Sequence, residues 1–252
     1  MPQIYMKTIT FLFGIIFMIS SFTVSASEKR TEPTFSTEQE IHINRMIRDY
    51  ILEHPEILPE AIQILQSRAK RAMLKRHHTP LYNDGFSYVG GNKNGDVTII
   101  EFFDYTCGYC KEAHNTLQKL IKEDSNLKVI YKEFPILSEL SYIISKAAMA
   151  SMKQGKYPEF HAALMEASGK MTETRIFKIA RDVGLDDQLL AKDMTSPLLE
   201  RNLQINHKVA QALQITGTPG YIIGETIIPG SASYEKLLKA IERARRVAQT
   251  PN

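Results

Sequence analysis

"EFFDYTCGYCKEAHNTLQKL", residues 101–120, holds both cysteines of a 252-residue chain, two residues apart. The pair falls where the apolar run VTIIEFF (97–103), with the composition of a strand buried on both faces, gives way to a helical pattern expected from about Cys107 to Asp124. A thiol reacts as its thiolate. The first turn of a helix stabilises that anion with unpaired N–H groups and the positive end of the dipole. Cys107, in that first turn, is therefore read as the attacking or attacked sulfur. Cys110, one turn deeper, is read as the resolving one.

Other uses of the pair are weaker. A bridge at this spacing closes a four-residue ring and removes little entropy from the unfolded chain. A zinc site wants four ligands, and His114 would add only a third to Cys107 and Cys110; its plainer reading is an exposed helix residue. His77 and His78, adjacent in a basic stretch, read as solvated. Redox chemistry is the reading favoured here.

Two further positions bear on that chemistry. By period two, Glu101 shares a strand face with Val97, Ile99 and Phe103. Its carboxyl is expected to be partly buried, which would raise its pKa and let it exchange protons with a nearby sulfur; an edge position in water is the alternative. In ITGTPGYIIGE (215–225), Pro219 stands at the mouth of an apolar strand, where proline is unwelcome unless the turn requires it. Only about one X–Pro bond in twenty is cis in folded proteins, so the local sequence alone favours a trans turn.

Outward from the cysteines, FSYVG (86–90) and LKVIYKEF (127–134) read as strands flanking the 97–124 unit. From about 138 to 215 only helical stretches follow one another. GTPGYIIG (217–224) and TIIPG (226–230) read as a turn and two short strands, and SYEKLLKAIERARRVA (233–248) closes the chain as an amphipathic helix. The order is that of an α/β unit with a large helical insertion. On the N-terminal side, HHTPLYNDG (77–85) reads as a linker.

Residues 27–76 form a separate region. After a polar stretch, Thr37 and Glu40 suggest a capping box opening a helix to about Glu53, and a second helix runs from Pro55 to about Arg76. Ile43, Ile47, Tyr50 and Ile51 stripe the first helix; Leu58, Ile62, Leu65, Ala69 and Met73 stripe the second. A pair this small buries little by itself, so the stripe is expected to rest on the following domain or on another copy of the chain.

The first 26 residues read as a signal peptide: Lys7, the apolar ITFLFGIIFMI (9–19), then Val24-Ser25-Ala26 before the expected cut. The apolar core falls short of the roughly twenty residues that span a bilayer; an uncleaved segment with membrane association is the alternative. Export places the cysteines where disulfides form and persist. Hydrophobic residues make up 43% of the chain, enough for a sizeable core, and the formal charge of +3 drops to +2 without Lys7. That near-balance implies no nucleic-acid partner.

EFFDYTCGYCK resembles the strand-to-active-site segment of the DsbA-like branch of periplasmic thiol–disulfide oxidoreductases in the thioredoxin superfamily, and the helical insertion is that branch's hallmark. The resemblance covers about residues 82–250. It implies a thioredoxin fold, a cis-proline loop at Pro219 beside the cysteines, substrate-peptide binding by the Thr218 backbone, and Glu101 as the buried acid. Between the cysteines stand Gly108 and Tyr109, where the archetypal oxidase has Pro-His, so no imidazole supports the Cys107 thiolate there. Gly-Tyr with a Thr before the cis-proline is similar to the dimeric disulfide isomerases.

RDYILEHPEILPEAIQIL (48–65) resembles the oligomerising stalk of DsbA relatives with isomerase activity, the suppressor-of-copper-sensitivity C type included. The implied organisation is a signal peptide (1–26), a helical dimerisation stalk (27–76, pairing through 37–76) and a DsbA-like domain (77–252). The implied activity is isomerisation or introduction of disulfides in exported cysteine-containing proteins. No metal or organic cofactor is needed, and electrons pass to a membrane redox partner. A dedicated oxidase or reductase is the main alternative; a non-enzymatic chaperone or metal-binding surface protein is the other.

Overall fold

The computed structural model describes residues 35–249; the expected signal peptide lies outside them. The chain divides into two compact units between Leu58 and Pro59, eighteen residues ahead of the boundary expected at 76/77.

In the first unit, α1 (Thr37–Glu53) is opened by Ser36, whose hydroxyl accepts from the Gln39 N–H while the Gln39 side chain accepts from the Ser36 N–H. The capping box thus sits one residue ahead of the expected Thr37 and Glu40. No residue of α1 is buried. Ile41, Met46, Ile47, Tyr50 and Leu52 each expose more than half of their surface, from 51% to 64%.

α2 (Ile57–Arg76) tolerates Pro59 because a first-turn residue needs no intrahelical N–H bond. Leu58, Ile62 and Leu65 are exposed, but Leu74 is buried, and Met73 packs with it against the second unit's core. The Arg71 guanidinium reaches Glu225 at 2.7 Å.

The stretch expected as a linker is ordered. It forms a short helix, α3 (His78–Tyr82), with Leu81 fully buried. Beyond it, Asp84 pairs with Lys132, and both side chains are almost wholly shielded from solvent. Lys132 also donates to the Pro80 carbonyl at 2.7 Å. Local turn chemistry could not reveal a partner 48 residues away.

The sheet holds five strands: β1 (Tyr88–Gly91), β2 (Val97–Phe103), β3 (Leu127–Glu133), β4 (Gly220–Ile223) and β5 (Thr226–Pro229), in the order β1-β3-β2-β4-β5. β2 and β3 are parallel and every other pairing is antiparallel. Between β2 and β3 lies α4 (Gly108–Glu123). Between β3 and β4 lie α5 (Glu139–Ser151), α6 (Tyr157–Glu166), α7 (Glu173–Asp182), α8 (Asp187–Asp193) and α9 (Pro197–Ala212), which is the expected insertion; α10 (Tyr234–Gln249) follows β5. The fold is the α/β thioredoxin fold with its helical insertion.

Central β2 is covered on both faces, which is why its sequence runs apolar without alternation. Val97, Ile99 and Phe103 join the core built with Ala113, Leu117 and Leu120 of α4 and Leu237 and Ile241 of α10. Ile100 and Phe102 join the opposite core with Leu74, Leu81 and Leu213. Among the described residues, no helix is long and apolar enough to cross a membrane.

Candidate active site

The turn from β2 into α4 is fastened before it presents any chemistry. Asp104, fully buried, accepts from the Thr106 N–H (2.8 Å) and hydroxyl (2.9 Å) with one oxygen. Its other oxygen accepts the Ile136 and Leu137 N–H groups at 3.0 and 3.1 Å. Thr106 also meets Ser141 at the start of α5 (2.7 Å). Lys111 donates to the carbonyls of Leu164, Met165 and Ala167, capping the end of α6 and tying it to α4. These supports escaped the sequence reading because their partners are far along the chain.

On this platform Cys107 is the N-cap of α4, and its sulfur accepts from the Cys110 N–H at 3.3 Å. The Cys107 thiol donates to the Thr218 carbonyl at 3.3 Å, and the Thr218–Pro219 bond is cis. Both cysteines are free thiols. Cys110 is fully buried, and burial is the main cause that pushes its thiol well above the usual range. One sulfur at a helix N-terminus with a donor aimed at it, beside another held protonated, is an arrangement suited to thiol–disulfide exchange.

Gly108 and Tyr109 point outward; Tyr109 is 64% exposed. A Cβ on Gly108 would meet nothing within 4 Å, so space does not demand glycine there. Gly220, next to the cis-proline, is different: a Cβ would lie 2.6 Å from Ile215 Cγ2.

Glu101 is buried on β2 rather than sitting at an edge, and burial raises its pKa to about 8. It is the centre of a row across three strands, with Tyr131 of β3 and Tyr221 of β4 as its register partners. The Tyr221 hydroxyl comes near enough to oppose that rise, yet neither it nor Glu101 Oε1 completes a hydrogen bond. The sequence marks Tyr221 only by its place two residues after Pro219; that it faces Glu101 comes from the β2–β4 register.

A second carboxyl is buried where no local sequence pattern marks it. Glu133, at the end of β3, accepts from the hydroxyls of Tyr105 (3.1 Å) and Tyr157 (2.8 Å), and Tyr105 also meets His161 Nδ1 at 2.9 Å. Burial raises Glu133 to about 8 and lowers His161 to about 3. His114, expected to be exposed, is instead buried, with its ring 5.2 Å from that of His161. It sits on the side of α4 that faces α6. Among the described residues, no three His, Cys, Asp or Glu side chains are placed to hold a metal ion.

Residues 98–242 match the family model for the DSBA-like thioredoxin domain, and residues 39–72 match the copper resistance protein ScsC N-terminal domain. The chain is 42% identical to a thioredoxin-like oxidoreductase from Silicibacter pomeroyi over 67% of its own length and 97% of that chain, with a TM-score of 0.65. Proteus mirabilis ScsC in a transitional conformation is 28% identical, covering 84% of this chain and 100% of that one (TM-score 0.65). A periplasmic thioredoxin-like protein from Salmonella enterica serovar Typhimurium is 25% identical, covering 67% and 95% (TM-score 0.59). The chain also matches the Na(+)/H(+) antiporter NhaA 1 of Salinispora arenicola at 23% identity over 62% of its own length, and spans 24% of that protein.

Proposed function

This chain belongs to the DsbA-like thioredoxin family, and on that premise we propose that it is an exported thiol–disulfide oxidoreductase that isomerises or introduces disulfide bonds through Cys107 and Cys110. The observation that carries the reading is the Cys107 sulfur at the N-terminus of α4, within 3.3 Å of both the Cys110 N–H and the Thr218 carbonyl. In oxidation, a substrate thiolate attacks Cys107 of the enzyme disulfide, Cys110 leaves, and a second substrate thiol resolves the mixed disulfide. In isomerisation, reduced Cys107 attacks a wrong bridge, and Cys110 frees the enzyme if reshuffling stalls. The Thr218 backbone beside Pro219 holds the extended substrate chain. Exported cysteine-containing proteins are the substrates, and a membrane oxidoreductase in the periplasm exchanges electrons with the enzyme.

We assign the isomerase role to association of two copies through residues 37–76. The exposed apolar residues of α1 and of early α2 support this, since apolar surface of that extent on a soluble chain marks an interaction site. A dimer shields its reduced cysteines from the oxidising partner. The test is reactivation of a scrambled-disulfide substrate by the chain beginning at Ser27, with a thiol supplied. Recovery lost in Cys107→Ala and in the dimer-breaking variant Ile47→Glu/Ile62→Glu supports the full reading. Oxidation of a reduced substrate without any reshuffling would make the protein a dedicated oxidase.

A further inference from the structure

Resolution requires Cys110, whose side chain is fully buried, to lose a proton. Cys110 and Glu101 are both buried, so an acid–base partner for the sulfur must be reached through the protein. Glu101 Oε1, the Thr218 hydroxyl and the Tyr221 hydroxyl are buried and complete no hydrogen bond among the described residues; Tyr221 stands opposite Glu101 in register, and Thr218 is the residue whose carbonyl meets Cys107. Buried polar atoms are nearly always satisfied, and three orphans gathered beside a reacting pair point to groups that act during turnover. Tyr221 is opposite Glu101 in the β2–β4 register and shares the core with Cys107 and Cys110.

We propose that the Tyr221 hydroxyl is a proton relay, taking the proton of Cys110 as it passes its own to Glu101. The inference rests on the exchange chemistry proposed above. As Cys110 attacks, its S–H proton moves to the Tyr221 oxygen and the Tyr221 proton to the Glu101 carboxylate. The Cys110 thiolate then forms the bond to Cys107 Sγ, and the substrate sulfur departs as thiolate with the electron pair of the broken S–S bond. In the oxidative direction the same path returns a proton to Cys110 as it leaves.

The surroundings support this direction of transfer. Glu101, raised to about 8 by burial, can gain or lose a proton near neutral pH, whereas burial holds the Tyr221 phenol far above its usual range. Tyr221 therefore relays protons without storing one. The Tyr221 phenol feels the charges of Glu101, Cys110 and Cys107. Thr218 favours the Cys110 thiolate, since its hydroxyl lowers the Cys110 pKa. Tyr131 of β3 also stands opposite Glu101 and feels its charge, and its own hydroxyl is next to Gln118 of α4.

The test mixes the reduced full chain with a chromogenic nitrobenzoate disulfide at saturating concentration. Cys107 is loaded in a first phase, and Cys110 expels the chromophore in a second, unimolecular phase that Cys110→Ala removes. In the wild type the second phase should rise with pH and level near 8. Tyr221→Phe should slow it about tenfold or more at neutral pH and abolish the inflection, leaving a rate that climbs steadily with pH. Glu101→Gln should do the same, and the double variant should be no slower than either single one.

An unchanged first phase and melting temperature in Tyr221→Phe separate a relay from a packing role. A Tyr221→Phe second phase within about twofold of wild type with its inflection kept, or single effects that multiply in the double variant, would overturn the relay alone. Absence of any second phase in the wild type would overturn the exchange reading and the relay together.

Discussion

The Cys107 sulfur lies 3.3 Å from the carbonyl oxygen of Thr218, 111 residues further along the chain. That contact joins the N-terminus of α4 to the backbone proposed to hold a substrate. In the proposed function, a peptide lying along Thr218 is thereby brought to the Cys107 sulfur.

The asymmetry of the two thiols should be visible directly. Burial keeps Cys110 protonated well above neutral pH and leaves it no exposed surface. Iodoacetamide at pH 7 under native conditions should modify Cys107 alone, read by peptide mass spectrometry. Cys110→Ala should leave Cys107 trapped in mixed disulfides with substrate, visible on non-reducing gels.

Glu101 should make stability depend on pH in a sense unusual for a carboxyl. Its folded pKa of about 8 lies above the ordinary 4.5, so between those values the folded state holds a proton that the unfolded state has released. Stability is then full below 4.5 and declines as pH rises through about 8. At about 1.4 kcal/mol per pKa unit, the loss is of the order of 5 kcal/mol. Glu101→Gln should gain on the wild type at pH 9 and lose that advantage by pH 4, as measured by urea unfolding.

Asp84 and Lys132 make a buried pair, and removing one partner leaves the other charge uncompensated. Asp84→Asn keeps an oxygen for the Phe86 and Ser87 N–H groups, which donate to Asp84 at 3.1 and 3.0 Å. It should still destabilise the fold by about 3–5 kcal/mol. Asp84→Asn/Lys132→Met should recover most of that loss in chemical denaturation, because the stranded ammonium is gone.

Gly220 has no room for a side chain. Gly220→Ala should cost about 1–3 kcal/mol through the collision with Ile215 Cγ2 and slow exchange by displacing the Pro219 loop. Adding Ile215→Leu, which removes the offending branch, should restore the melting temperature. Gly108→Ala, at an open position, should change stability by less than about 1 kcal/mol.

Features that neighbouring residues settle among themselves are legible along the chain. The step from VTIIEFF to a helix placed Cys107 at a dipole terminus, the spacing made Cys110 its deeper partner, and period two put Glu101 on an inward face. The helical insertion between β3 and β4 was legible for the same reason: periodicity is a local property. Features that depend on through-space encounters arise only on folding.

Thr218 meets Cys107, Tyr221 faces Glu101, and Glu133 gathers Tyr105 and Tyr157 only because strands distant in sequence lie side by side and α6 packs over them. His114 looked like a surface residue until α6 covered it. The stretch 77–85 looked like a linker until Leu81 and Asp84 found their partners. A buried charge or an occupied hydroxyl is defined by what surrounds it in space, and spacing along the chain does not carry that information.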